Sequence, residues 1–585
     1  MKYKKQLFDY AVKDYKRILA ELRYHSILVV FDLLNEEAFL SLAPLSQAIH
    51  ELNSDMYVVS RNNGKCIEYD VLRDIWTEIA NKEGKKAKVL DKFISLVNKK
   101  TDNRFGKLFK PPALILESDK EGFSAGKLLL PYKYKWFKSY KESALIKSCE
   151  KVWKFDYALK KKELVLIDLP LIPPENILKL PLEDYMDSYA IVWNLMKTAL
   201  KEGAIPIVKT ETSRVSPFEP AEYLSDLITT LYGCEYCKKI GEPAFKAFQE
   251  VSKAFNLQRL TPASAKLTIA TQGFVGRHLF GEAIGYPTPN RKSRWDSPMR
   301  MFMKMHDDEQ SEFETRDPIL RLALTETLPI DVFIETNNIN ILALRKHTRA
   351  LKDKLKGCML INVVSHDTNK EYNTNLIVDI GPRRLIPDDS DVTNLYEEDL
   401  YKETKKKYGM YTNIPGGEVF FTPHSMHGTF VGDVVMHTDR SVMLSAKDPI
   451  VVSVEEGRYK IVRAPRDMEK EIEAIKQEHM KVLLEKEKHK AMPQNIIDMQ
   501  KENYDRIGEF AINTHPTAKL CEYLVVNEKI ARMIHIALGK GFEKDRKTVY
   551  HMDIVIDAAK QKLDIYGIKP DGAEVWVLRK GRMVV

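Results

Sequence analysis

Cysteine is scarce in this chain: six residues in 585, too few and too scattered for a disulfide framework. Cys66, Cys149, Cys358 and Cys521 stand alone and read as small core residues. Cys234 and Cys237 make one CxxC, but no second pair lies near enough to complete a four-ligand zinc site. Long apolar runs are also missing. Stretches such as 26–31 fall far short of the roughly 20 residues a membrane-spanning helix needs. The first sixteen residues carry charge throughout and lack the apolar core of a signal peptide, so the expected setting is cytoplasmic, with no membrane partner. Charge of one sign is not in large excess: 91 Lys and Arg against 83 Asp and Glu leave +8. Without a concentrated basic patch, nucleic acid is not an expected partner. Glycine and proline, 26 and 27 residues, are too few for a collagen-like or linker-dominated chain. GxGxxG, GxxxxGK[ST] and HExxH are all absent, which sets aside dinucleotide, P-loop and zincin readings.

What is present is ordinary globular material, 44% hydrophobic and 30% charged, enough for several domains. Three stretches read as strand, helix, strand. The first runs from 27–31 through 38–52 to 56–59, and the second from 164–167 through 189–200 to 203–208. The third takes Asp331-Val332-Phe333-Ile334 as its first strand, 341–355 as helix and 359–364 as second strand. This spacing predicts parallel sheet covered by helices. Residues 132–138 interleave Lys with Tyr, Trp and Phe and predict a half-buried strand rather than a nucleic-acid platform. From 413 to 463 apolar and polar residues alternate with glycines at turns, which predicts antiparallel β structure. A charged helical insertion follows near 466–504. The expected organisation is an additional α/β domain over 1–160, an α/β domain over 161–390, and a β-rich α+β metal-binding domain over 391–585.

The chemistry concentrates in the last third. His551 and Asp553 are two apart in an apolar stretch, so on a strand they point to one side. Glu509 is a lone carboxylate in Ile507-Gly508-Glu509-Phe510-Ala511-Ile512, and Glu418 heads the apolar run Val419-Phe420-Phe421. His535 is followed by Ala537, Gly539 and Gly541, small residues that permit close packing beside it. A carboxylate in such settings is costly to bury unless paired or ligating a metal. Two Glu, two His and one Asp are better explained together by a divalent cation site of the zinc, cobalt, manganese or iron type than by calcium.

These residues sit in motifs that resemble a family. NIPGGEVFFTP, IGEF, NEKIARMIHIALG and VYHMDIVID, in that order and followed by Asp571-Gly572, are similar to the aminopeptidase T type of thermophilic metalloaminopeptidases, clearest over 375–585. The resemblance implies two co-catalytic divalent metals (zinc, cobalt or manganese), a homodimer, and removal of N-terminal residues from peptides or amino-acid amides. Carried over by motif, Glu418 is the first carboxylate ligand and Glu509 the second, bridging one. His535, His551 and Asp553 complete the set, and Glu528 holds the acidic position ahead of His535. Either Glu418 or Glu509 would accept the proton. Two departures stand out. The family has tyrosine seven residues after the first metal histidine, where this chain has Phe542, and the chain is much longer upstream of Glu418. Two rival readings remain: a mononuclear iron ring-cleaving dioxygenase on the same fold, and a catalytically weak binding or scaffold relative.

Overall fold

The computed structural model describes residues 3–22, 26–62, 67–81, 84–101, 111–137, 140–168, 182–211, 247, 250–251, 253–255, 265–270, 321–326, 328–366, 371–392, 411–438, 441–488 and 494–584. Cys66, Cys234 and Cys237 lie outside them. Three sheets organise the chain. A ten-stranded sheet runs, edge to edge, through 411–413, 321–326, 265–270, 164–168, 205–211, 55–61, 26–32, 114–118, 122–125 and 128–131.

The strand Ser26–Asp32 has its five central residues buried, as expected for a strand covered on both faces. It pairs parallel with 55–61 and 114–118. A second parallel block comprises 205–211, 164–168, 265–270, 321–326 and 411–413. The two blocks meet in an antiparallel contact, Tyr57 opposite Glu211, so they form one mixed sheet that runs on across residue 160. Helices Glu36–Glu51 and Leu182–Lys201 supply much of the adjoining core, where Phe39 packs on Tyr189 and Trp193. Asn35 caps the first of these by accepting from the Ala38 amide at 2.9 Å.

The C-terminal part is β-rich and antiparallel. One sheet has the order 458–463, 450–455, 425–432, 375–379, 360–365, 563–568, 574–579, 582–583. The other has the order 386–388, 418–421, 507–513, 533–539, 551–557, 435–437, 441–443. Val419, Phe421, Phe510, Ile512, Ile534, Ile536, Leu538, Met552, Ile554 and Ile556 join one buried cluster with side chains of the first sheet. These residues alternate along their strands, so one face of the seven-stranded sheet is spent on the sandwich core. The helices Met468–Lys488 and Gln494–Glu502 fill the charged insertion.

Three sequence expectations are corrected. Asp331–Ile334 is not a strand: Ile330–Asn337 is a helix whose first amide donates to Asp187 Oδ2 at 3.0 Å. Three apolar residues after an aspartate carry no decisive period, and packing against the helices Glu142–Lys151 and Leu182–Lys201 decides it. The following strand, Leu360–Ser365, therefore closes no parallel unit; its neighbours 375–379 and 563–568 are antiparallel and belong to the C-terminal sheet. Residues 132–137 are irregular rather than a strand, although Trp136 is buried and donates to the Leu40 carbonyl at 3.1 Å.

The two regions are pinned together by buried polar contacts. Arg345 on the helix Ile341–Leu355 reaches Asp156 at 2.9 Å, and Thr348 meets Thr514 at 2.8 Å. His515 Nε2 donates to the Thr336 carbonyl at 3.1 Å, while its Nδ1 accepts the amides of Thr517 and Ala518. Burial pushes the His515 imidazole down to about 4, with the Lys529 charge adding to it. It is neutral when folded and titrates near 6.5 when unfolded, so the unfolded chain binds more protons between those values. Stability should therefore fall as pH drops from about 6.5 to about 4, by about 3 kcal/mol from this group. Urea unfolding at pH 7 and pH 4.5 checks this: His515→Gln should show a smaller loss over that interval than the wild type.

Candidate metal centre

Strand parity builds the site. In the seven-stranded sheet Glu418 lies opposite Asn513, Glu509 opposite Ala537, and Ala511 opposite His535. Ala537 in turn lies opposite Asp553, and Gly539 opposite His551. Cross-strand partners share a face, so Glu418, Glu509, Asn513, His535, His551 and Asp553 all project from the side away from the sandwich core. Ala511, Ala537 and Gly539 stand among them on that face, and their small side chains leave the volume that larger residues would fill.

The structure brings all six sequence candidates together. Among the described residues, three groups have potential ligand atoms within 4.8 Å of one another: Glu418, Glu509 and His535; Glu509, His551 and Asp553; and Glu528, His535 and Asp553. Glu509 faces two ways, with Oε1 3.2 Å from His535 Nε2 and Oε2 3.6 Å from His551 Nε2. Glu418 Oε2 is 3.7 Å from His535 Nε2, and Asp553 Oδ1 is 3.3 Å from His551 Nε2. Both of these oxygens are buried without a hydrogen-bond partner. Each imidazole is held from behind. His535 Nδ1 donates to Asn513 Oδ1 at 3.0 Å, and His551 Nδ1 donates to the Lys540 carbonyl at 2.8 Å. That leaves both Nε2 atoms aimed into the pocket, the arrangement in which an outer acceptor orients a ligating histidine. Glu418, Glu509, His535 and Asp553 are at most 3% exposed, whereas the His551 side chain is 22% exposed and marks the open side.

Two further charged residues belong here. Lys529, fully buried, donates to Glu418 Oε1 at 2.6 Å and to Glu528 Oε1 at 2.7 Å, and lies 3.3 Å from Asp388 Oδ2. Asp388 is itself held by Thr412 and by the Asn413 amide and side chain. Sequence reasoning missed both. Lys529 follows Glu528 in a loop, where a lysine ordinarily faces water, and the only available signal was its adjacency to a candidate ligand.

Charge balance governs titration. Burial alone would push the histidines down, but the surrounding carboxylates outweigh it. Glu509, Glu418 and Asp553 raise His535 to about 9, and Asp553 and Glu509 raise His551 to about 10. Burial acts on Asp553 in the opposite sense, yet the two histidines hold it well below the usual carboxylate range. Burial drives Glu418 well above its ordinary range. Lys529 is raised because Glu418, Glu528 and Asp388 overcome its burial. The residues suit a divalent cation: one oxygen of Glu418 and one of Asp553 are buried without a hydrogen bond, and the imidazole Nε2 atoms beside them are positioned as ligands.

Two outcomes follow. Ligating nitrogens must lose their protons, so metal uptake near pH 7 should release up to about two protons per chain, and apparent affinity should rise with pH up to about 9. Calorimetry in buffers of different ionisation enthalpy measures this. Lys529→Met leaves three buried carboxylates without their cation and should cost the metal-free protein about 3–5 kcal/mol. Added divalent metal should restore part of that loss in thermal unfolding. No protein-family model matches this chain, and no curated protein sequence matches it either.

Proposed function

We propose that the protein is a two-metal hydrolase that cleaves the N-terminal amide bond of peptides or amino-acid amides, and acts as a homodimer. The observation that carries this reading is the pair of ligand groups that share Glu509, one completed by Glu418 and His535 and the other by His551 and Asp553. A metal pair bound there would polarise the scissile carbonyl and lower the pKa of the attacking water. Glu509 presents one oxygen to each group and so sets their separation. Glu418 Oε2, buried and without a hydrogen-bond donor, is a carboxylate oxygen free to take a proton. Asn513 and the Lys540 carbonyl keep the two histidines in the tautomer that exposes Nε2. Each ligand group holds two carboxylates and one imidazole, a harder set than the two-histidine, one-carboxylate triad of non-haem iron oxygenases. That difference counts against the mononuclear oxygenase reading, and mixed carboxylate and imidazole donors suit zinc, cobalt or manganese.

Phe542 bears on rate. Its ring lies 4.6 Å from Phe420 and 6.1 Å from His551 between centroids, and it offers no hydroxyl to the pocket. Tyr550 does not take its place, because its hydroxyl is engaged with Tyr459 at 2.6 Å and with the Tyr504 carbonyl.

Metal-depleted protein reloaded with zinc, cobalt or manganese should bind two equivalents. It should hydrolyse aminoacyl anilides with a free amine and leave their N-acetylated forms untouched. A single equivalent of iron, with oxygen consumed on an aromatic substrate, would overturn the reading. A missing donor typically lowers rate about 10²–10³-fold. Phe542→Tyr should therefore raise turnover by tenfold or more, and Tyr550→Phe should change it little; steady-state kinetics on one anilide decide both.

A further inference from the structure

A second concentration of charge lies outside the metal pocket, where loops from both sheets of the β-sandwich converge. Arg383 follows the strand Asn375–Asp379, Arg506 precedes Ile507–Asn513, and Arg546 lies in the loop between Met533–Gly539 and His551–Asp557. Arg546 is 4% exposed, and its Nη2 donates to the His424 carbonyl at 2.9 Å. Among the described residues no carboxylate reaches it within ion-pair distance, which is unusual for a buried guanidinium.

The carboxylates nearby serve the other two arginines from the solvent side. Asp545, 62% exposed, takes both terminal nitrogens of Arg383 at 2.6 Å, and Glu502, 66% exposed, lies 3.6 Å from Arg506 Nη2. The Nε atoms of Arg383, Arg506 and Arg546 are all buried with no hydrogen-bond partner. Nη1 of Arg506 and Nη1 of Arg546 both lie 3.8 Å from the point where a side chain on Gly457 would begin, so two guanidinium groups converge on one small space. Burial, with the charges of Arg506 and Arg383 acting in the same direction, lowers Arg546 to about 10.

Asp545 already holds both terminal nitrogens of Arg383, and Arg506 Nη1 has one long contact, the Glu456 carbonyl at 3.4 Å. The N–H donors left on Arg506 and Arg546, beside the charge of Arg383, exceed what a two-oxygen carboxylate can accept and match a tetrahedral oxyanion with three or four acceptor oxygens. We propose that Arg383, Arg506 and Arg546 form a binding site for a phosphate-class dianion, either inorganic phosphate or a phosphomonoester. The anion bridges Arg506 and Arg546 beside Gly457 and neutralises the buried Arg546. It also fixes the 540–550 loop, whose Lys540 carbonyl holds His551 in place. The site thereby couples anion binding to the order of the metal pocket, and its existence does not depend on the hydrolase reading.

Phosphate also binds divalent metals, so the test uses the full-length chain with metal removed by chelation, alongside Glu509→Gln. Calorimetric titration with inorganic phosphate at constant ionic strength should show one saturable site per chain in both proteins. Arg546→Met and, independently, Arg506→Gln should weaken it at least tenfold while circular dichroism stays unchanged. Arg506 is the half-buried member, so its variant tests the site if Arg546→Met fails to fold. Glycerol phosphate in place of phosphate separates the sources: tighter binding assigns a phosphomonoester, and weaker binding assigns the free ion. No saturable binding to the chelated wild type overturns the proposal. So does binding that survives both arginine variants, or binding that acetate matches at equal concentration.

Discussion

Carboxylates gathered where there is almost no water impose the dominant constraint on the C-terminal half. Glu418, Glu509 and Asp553, each at most 3% exposed, share one pocket with Glu528 and Asp388. Uncompensated, such a set would be too costly to fold. Lys529 answers part of the demand by binding Glu418 and Glu528 at once, and the protonated imidazoles answer more in the metal-free protein. What remains is specific: one oxygen of Glu418 and one of Asp553, each beside an imidazole but buried without a hydrogen bond. Those oxygens mark where further positive charge belongs.

The sheet makes that arrangement rigid. Glu528 apart, the candidate ligands come from four adjacent antiparallel strands, at a spacing the hydrogen-bond ladder sets and with their opposite faces locked into the sandwich core. Moving any ligand would mean moving a fully buried strand. The N-terminal region adds a second restraint through the helices Ile330–Asn337 and Ile341–Leu355, which hold His515 and Thr514 just beyond the strand that carries Glu509. The strand Tyr411–Asn413 belongs to the ten-stranded sheet, yet Asn413 binds Asp388 of the seven-stranded one. The α/β region and the pocket therefore share a polar seam rather than a flexible join.

Reading the chain in order picks out the clustered carboxylates and imidazoles because each breaks a local pattern. Glu509 interrupts an apolar strand, Glu418 begins one, and His551 and Asp553 keep the two-residue spacing that puts both on one face. The same logic finds neither Lys529 nor Asp388, since both lie where a charged residue breaks no pattern. Arg383, Arg506 and Arg546 are equally silent, being 163 positions apart from first to last. Asp331–Ile334 failed for a related reason: Val332, Phe333 and Ile334 alone fit a strand or one helical turn equally well, and only the neighbouring helices distinguish them.

By itself, then, the sequence determined what period-two alternation can carry: antiparallel strands over the last third, the shared face of His551 and Asp553, and a donor set suited to a divalent cation. Parallel strands in the first part were also readable from their continuous apolar runs. Tertiary structure decided which faces meet. It joined two parallel blocks through an antiparallel contact, moved 360–365 and 375–379 into the C-terminal sandwich, and buried a loop lysine among three carboxylates. Local pattern encodes which way a side chain points from its own backbone. It does not encode which distant charge will stand opposite, because that depends on how sheets stack and on how much water their packing excludes.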